Sequence, residues 1–132
     1  MNKFLRVIFI LLILAMLGAA MIQIFQPQLL GNESIYGLAP YWQREIGFWN
    51  LAILPLVIAA NIKYDWFYLR MTLLALILGG LGFATNHLLG YLEKANQANF
   101  LGWIENYLLV FCWLFGWGLE YRKRQKSDEE IV

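Results

Sequence analysis

Charged residues are scarce in this sequence. Asp, Glu, Lys and Arg make up 14% of its 132 residues, whereas soluble domains average about 25%. Apolar residues account for 61%. A soluble domain of this length buries only about two-thirds of the surface of its unfolded chain, so much apolar surface would face water. The composition therefore excludes an ordinary soluble domain and predicts one membrane domain over residues 1–132.

Cysteine and histidine are almost absent, with Cys112 and His87 as the single examples. One cysteine excludes an intramolecular disulfide, and one histidine without a second ligand at metal-binding spacing does not support a metal site. The formal net charge of +1 provides no basic face outside the C-terminal tail. This excludes a nucleic-acid partner, because phosphate binding needs such a face.

Four apolar segments are long enough to cross a bilayer, because about 20 helical residues at 1.5 Å each match its roughly 30 Å hydrocarbon core. They cover about residues 4–25, 46–62, 66–89 and 100–121, and a charged tail over residues 122–132 follows. The second helix is expected to begin earlier, with Pro40 at its first position. Asp65 and Asn99 are candidate N-caps of the third and fourth helices. The short connection between spans two and three predicts a hairpin within an all-α, antiparallel four-helix bundle.

The first span also allows a second interpretation, a cleaved signal peptide. Lys3 and Arg6 form a basic start, and Gly18-Ala19-Ala20 provides small residues for a peptidase, so that residues 1–20 would be removed. The apolar run continues to Phe25, however, beyond the roughly 7–15 residues of a usual signal core. A retained membrane anchor is favoured, and cleavage stays an alternative.

Positive residues are distributed unevenly between the two sides of the predicted bundle. Arg44 and Lys94 lie on one side. The other side holds Lys3, Arg6, Lys63, Arg70, Arg122, Lys123, Arg124 and Lys126. Lys and Arg that flank short loops stay in the cytoplasm. Both the N-terminus and the C-terminus are therefore predicted to be cytoplasmic.

Small residues recur along the third and fourth spans at helical spacing. The third span carries Gly79, Gly82 and Gly90 on one stripe, and the fourth carries Gly102 and Gly116 on another. Helices in lipid associate through close backbone approach over small residues. These five glycines are therefore predicted to be helix-packing positions.

Polar side chains cluster near the ends of the spans on the side with few positive residues. The group consists of Glu45, Asn50, Asn86, His87, Glu105 and Asn106. At 1.5 Å per residue, all six lie within roughly 10 Å of that membrane boundary. Ionisable and amide groups inside spans are rare and are functional candidates by default. Together they predict a polar pocket in the outer-leaflet half, where carboxylates beside a histidine could exchange protons.

Each of these residues also has a structural explanation. Glu45 and Glu105 lie in first turns, where the helix dipole favours a carboxylate that can still contact water. Asn50 and Asn86 are suited to hydrogen bonds between helices, and His87 is suited to helix packing. The sequence leaves both interpretations open.

The stretch from Arg44 to Asn50, with Glu45 and Gly47 at the head of the second span, resembles the DoxX-like group of small bacterial membrane proteins. The polar end of the third span, Thr85-Asn86-His87, supports the resemblance. It implies four antiparallel helices in the bacterial inner membrane. It also implies a link to quinone or another lipophilic molecule, but assigns neither a catalytic residue nor a cofactor.

These observations predict a binding or accessory protein whose pocket accepts a lipophilic small molecule or a partner subunit. A redox or proton-transfer enzyme that uses the same pocket is one alternative. A structural partner of a larger membrane complex, with the aromatic face from Trp103 to Tyr121 as its contact, is another. A transporter would require a homo-oligomer, because four spans leave little room for a gated path.

Overall fold

The computed structural model describes residues 1–31 and 38–129, which are almost entirely helical. The helices are α1 (Lys3–Phe25), the short α2 (Pro27–Gly31), α3 (Pro40–Ile62), α4 (Trp66–Glu93) and α5 (Gln97–Glu129). No strand occurs in these two ranges. Helices α1, α3, α4 and α5 are each long and apolar enough to cross a membrane. The chain is therefore an all-helical, multi-pass membrane protein, as its composition predicts.

Short polar side chains and a proline define three of the helix starts. The Asn2 side chain accepts a hydrogen bond from the Leu5 backbone N–H at 2.9 Å. Asp65 caps α4 in the same way, accepting from the Tyr68 N–H at 3.0 Å, and Pro40 is the first residue of α3. Each cap satisfies a backbone donor that a helix start leaves without an intrahelical partner. The predictions for Pro40 and Asp65 are confirmed.

Both ends of α5 differ from the prediction. Asn96 takes the capping role predicted for Asn99, because its side chain accepts from the Asn99 backbone N–H at 2.8 Å. At the other end, the helix continues through the basic residues to Glu129, whereas the sequence predicts a separate tail from residue 122. Lys and Arg are good helix formers and are favoured near a helix C-terminus. Residues 130–132 of the predicted tail lie outside the described residues.

The long helices form two closely packed pairs, α1 with α3 and α4 with α5. A Cβ at Gly47 of α3 would lie 2.8 Å from Ile24 Cγ1 and 3.2 Å from the Ala20 carbonyl oxygen, so the absence of a side chain permits this approach. Helices α3 and α4 contact each other only slightly. The main partner of α3 is therefore α1, although the short connection joins α3 to α4.

The four helices share a core in the half that holds the start of α1, the end of α3, the start of α4 and the second half of α5. We call this half the base and the opposite half the crown. The base core consists of Leu5, Phe9, Leu12, Val57, Ala60, Leu69, Leu73, Leu76, Ile77, Val110 and Trp113. The buried residues described in the crown are small, proline or polar: Ala20, Pro27, Gly47, Ala84, Gly90 and Asn99. The described residues therefore place large, fully buried side chains at the base and none of them in the crown.

Candidate functional site

The candidate crown site consists of polar residues on both helix pairs, and its first part, Gln23, Arg44 and Asn50, lies on the pair α1–α3. Asn50 Nδ2 donates a hydrogen bond to Gln23 Oε1 at 2.9 Å. Arg44 Nε donates to the carbonyl oxygen of Ile24 at 3.3 Å, near the end of α1 where carbonyls lack intrahelical partners. Both contacts hold the end of α1 against the start of α3. The Asn50 contact is the interhelical hydrogen bond that the structural explanation of this residue requires.

The second part of the crown site is formed by His87 of α4 and Asn99 of α5. His87 Nδ1 lies 3.0 Å from Asn99 Oδ1. The imidazole packs against Gly102, where a Cβ would come within 2.7 Å of the ring. With the Asn99 amide in this orientation, Nδ1 donates the hydrogen bond. Nε2 is then the ring nitrogen that can meet a ligand.

Two buried donors on α5, one of them in the Asn99 side chain beside His87, have no hydrogen-bond partner among the described residues. Asn99 is 6% exposed, and its Nδ2 group has no hydrogen-bond acceptor among the described residues. One turn further on the same face, the buried Nε1 of Trp103 lacks an acceptor as well. A buried donor without a partner costs about 1–3 kcal/mol. An acceptor from outside the described residues would offset this cost.

Sequence reasoning missed both donors. Asn99 resembles a helix cap by its position, and Trp103 resembles one of the aromatic residues of a membrane interface. Neither residue belongs to the predicted pocket. The burial of their donors depends on the packing of α4 on α5, which the sequence does not reveal.

The other predicted pocket residues have different surroundings. Glu45, Asn86 and Glu105 are exposed. Asn106 Nδ2 donates to the Gly102 carbonyl oxygen of its own helix at 2.8 Å. Carboxylates at this depth require water, lipid headgroups or a partner nearby. Two of the six predicted residues lie on α3 and four lie on α4 and α5, so they are divided between the two helix pairs.

The predicted packing glycines have two outcomes. Three of them are buried or lie against a side chain of another helix: Gly90, Gly102 and Gly116. On α4, however, the close contact is at Gly80, where a Cβ would lie 2.7 Å from Val110 Cγ2. A Cβ at Gly79 or Gly82 would meet no atom within 4 Å. The close contact of α4 is thus one residue away from the predicted Gly79, because spacings of three and four fit adjacent registers and the packing partner selects one of them. Gly90 of the predicted stripe is buried.

A separate polar cluster surrounds Glu120 at the base, and we call it the base cluster. Glu120 is 1% exposed. It accepts hydrogen bonds from the Asn2 backbone N–H and the Tyr64 hydroxyl, and the Met1 ammonium lies 3.7 Å away. Arg124 donates to the Tyr64 hydroxyl oxygen at 3.4 Å. The cluster thus joins the start of α1, the α3–α4 connection and α5.

Comparison with known proteins identifies no relative. No protein-family model, no curated protein and no solved structure matches this chain. Among the residues that the structure describes, no three His, Cys, Asp or Glu side chains converge as a metal site requires. The functional assignment therefore rests on the geometry of the chain itself, and the resemblance to the DoxX-like group stays a prediction.

Proposed function

We propose that this chain is a membrane binding or accessory protein that holds a lipophilic molecule in the crown, between its two helix pairs. The observation that carries the proposal is the buried Nδ2 group of Asn99, which lies beside His87 and has no acceptor among the described residues. A carbonyl oxygen of the bound molecule would accept hydrogen bonds from Asn99 and Trp103. Its apolar part would lie between the helix pairs, since the described residues of the crown include no large, fully buried side chain. A quinone has this chemistry and is the ligand class that the DoxX-like resemblance implies.

The remaining predicted pocket residues would surround this ligand. Asn50 would contribute an amide from the facing helix pair, together with Gln23. Glu45 and Glu105, which are exposed, would form the polar rim and keep contact with water or lipid headgroups. A redox or proton-transfer reaction would use these same groups. We propose binding because the two donors without a described partner need a hydrogen-bond acceptor. An acceptor atom does not by itself imply a reaction.

We further infer that the four long helices are antiparallel, with both termini in the cytoplasm of a bacterial inner membrane. Eight of the ten Lys and Arg residues flank the base side, and positive residues near short loops stay inside. The Asn2 side chain donates to the Gly116 carbonyl oxygen at 2.9 Å, which supports a common side for the start of α1 and the end of α5.

Mass spectrometry of lipophiles that co-purify in mild detergent tests the ligand site. We expect one species to be enriched with wild type and reduced about fivefold in Asn99→Leu and in Trp103→Phe, since each lost hydrogen bond is worth roughly 1 kcal/mol. Trp113→Phe is the matched control, because the Trp113 indole N–H is also buried without an acceptor among the described residues but lies in the base core. Equal loss in this control, or no loss in Asn99→Leu, would contradict the proposal.

The same preparations distinguish a lipophile from a partner subunit. A helix of another protein could supply the acceptor oxygen through a side chain. If a stoichiometric protein co-purifies, is lost in Asn99→Leu and is accompanied by no enriched lipophile, the occupant is a subunit and the lipophile is excluded.

A further inference from the structure

A groove between α3 and α4 at the base is separate from the crown site. It encloses about 320 Å³ and is lined by Leu56, Ala59, Ala60, Lys63, Asp65, Tyr68 and Thr72. Since α3 and α4 contact each other only slightly, their side chains leave this space between them. The volume lies within the range of roughly 300–1,000 Å³ that small-molecule sites show. Its walls are mainly apolar, and its two charged residues belong to the short α3–α4 connection.

The charged end of the groove lies at the membrane boundary, because one candidate span ends at Ile62 and the next begins at Trp66. Lys63 is exposed. Asp65 accepts the Tyr68 N–H as an N-cap, which leaves further lone pairs of the carboxylate available. The groove therefore presents one cation and one anion, two residues apart, at the level of lipid headgroups.

We propose that this groove binds a zwitterionic phospholipid with a primary ammonium headgroup, of the phosphatidylethanolamine type. An acyl chain occupies the apolar part between α3 and α4. The lipid phosphate lies beside Lys63, and the lipid ammonium donates hydrogen bonds to Asp65. A choline headgroup has no N–H to donate, and an anionic headgroup has no positive group for the carboxylate. Charge complementarity therefore selects the ethanolamine headgroup.

Titration of phosphatidylethanolamine into the detergent-solubilised full chain, followed by native mass spectrometry, tests the groove. We expect saturable binding to wild type and loss of saturable binding in Ala59→Phe, because the larger ring fills the groove. Ala52→Phe is the matched control, since Ala52 is an exposed residue of the same helix that does not line the groove. Equal binding to the two variants would overturn the proposal. A mass doubling caused by a second copy of the chain, lost in Ala59→Phe, would also overturn it.

The headgroup assignment is tested with the two charged residues. Lys63→Gln is expected to weaken binding roughly tenfold, the effect of one charge-assisted hydrogen bond, whereas Lys94→Gln in the α4–α5 connection is the control without effect. Asp65→Asn retains an N-cap acceptor but removes the charge, so it is expected to abolish the preference for phosphatidylethanolamine over phosphatidylglycerol. Wild-type binding of phosphatidylcholine or phosphatidylglycerol at least as tight as that of phosphatidylethanolamine would overturn the assignment.

Discussion

At Gly80 the backbone of α4 approaches α5 so closely that a Cβ would lie 2.7 Å from Val110 Cγ2 and 2.9 Å from Trp113 Cζ3. The preceding Gly79 faces open space. Gly80→Ala is therefore expected to lower the free energy of unfolding by about 1–3 kcal/mol, the usual cost of overpacking. Gly79→Ala is expected to be neutral or slightly stabilising, because alanine favours a helix. Unfolding in mixed detergent micelles measures both variants, and equal effects would contradict the described packing of α4 on α5.

The ionisation of Tyr64, which lies between two spans, makes the stability of the folded chain depend on pH in the alkaline range. Burial raises the pKa of Tyr64 above its usual value of 10.0. The folded chain then holds the phenol proton more tightly than the unfolded chain. The resulting stabilisation is fully present below pH 10.0 and is lost as the pH rises through the folded-state pKa.

Tyr64→Phe should therefore lack this alkaline loss of stability. At neutral pH it should be less stable than wild type by about 1 kcal/mol, because the hydroxyl bonds to Glu120 and Arg124 are removed. Tyr68→Phe, at a residue that is 67% exposed, is the control and should retain the wild-type profile. Free energies of unfolding from about pH 8 to 11 provide the comparison. A Tyr64→Phe variant that follows the wild-type curve would refute the role of this hydroxyl.

At the scale of elements, α1 supplies a large part of the base core. Leu5 and Phe9 are both 0% exposed, and Leu12 is buried beside them. Asn2 also contacts α5 through the Gly116 carbonyl and Glu120. Cleavage after residue 20 would remove all of these groups, so a retained α1 agrees best with the packing.

The intact mass of the membrane-extracted protein tests this conclusion. We expect it to include residues 1–20, and we expect a chain that begins at residue 21 to be unfolded or degraded, since it lacks the core side chains of α1. A folded protein whose mass begins near residue 21 would instead support the signal-peptide interpretation.

The sequence predicts the number of long helices and their approximate bounds, because an apolar run of about 20 residues has the length of a helix that crosses a bilayer. It does not predict how the helices pair. Residues that face lipid and residues that face protein are equally apolar: Leu73 is 0% exposed and its neighbour Leu74 is 42% exposed. Pairing instead depends on individual contacts, such as Gly47 on α1 and the hydrogen bond between Gln23 and Asn50. Such contacts appear only when the helices are packed.

At the scale of the whole molecule, the base and the crown differ in what joins the helix pairs. The base has a shared core and the base cluster around Glu120. In the described crown, each pair is held by its own hydrogen bond, Gln23 to Asn50 in one pair and His87 to Asn99 in the other. The sequence indicates that Asn50 and His87 lie at a similar depth. It does not indicate the unpartnered Asn99 donor, because that feature follows from burial and not from residue spacing.

The orientation of the molecule can be tested by cysteine accessibility. In a Cys112→Ser background, a membrane-impermeant maleimide added to intact bacteria is expected to label Lys94→Cys and to leave Lys126→Cys unlabelled until the cells are permeabilised. This follows from the proposed orientation, in which the positively charged base side lies in the cytoplasm. The reverse labelling pattern would place the base outside the cell.

Nuclear magnetic resonance of the one histidine tests the crown site most directly. Since His87 is the only histidine, labelling histidine with ¹⁵N gives ring signals from this residue alone. In protein stripped of co-purified lipophiles, a quinone with a short isoprenoid tail is expected to shift the Nε2 signal saturably, and Asn99→Leu is expected to abolish the shift. An identical shift in Asn99→Leu, or no shift with either the quinone or a total membrane lipid extract, would contradict a ligand site at His87 and Asn99.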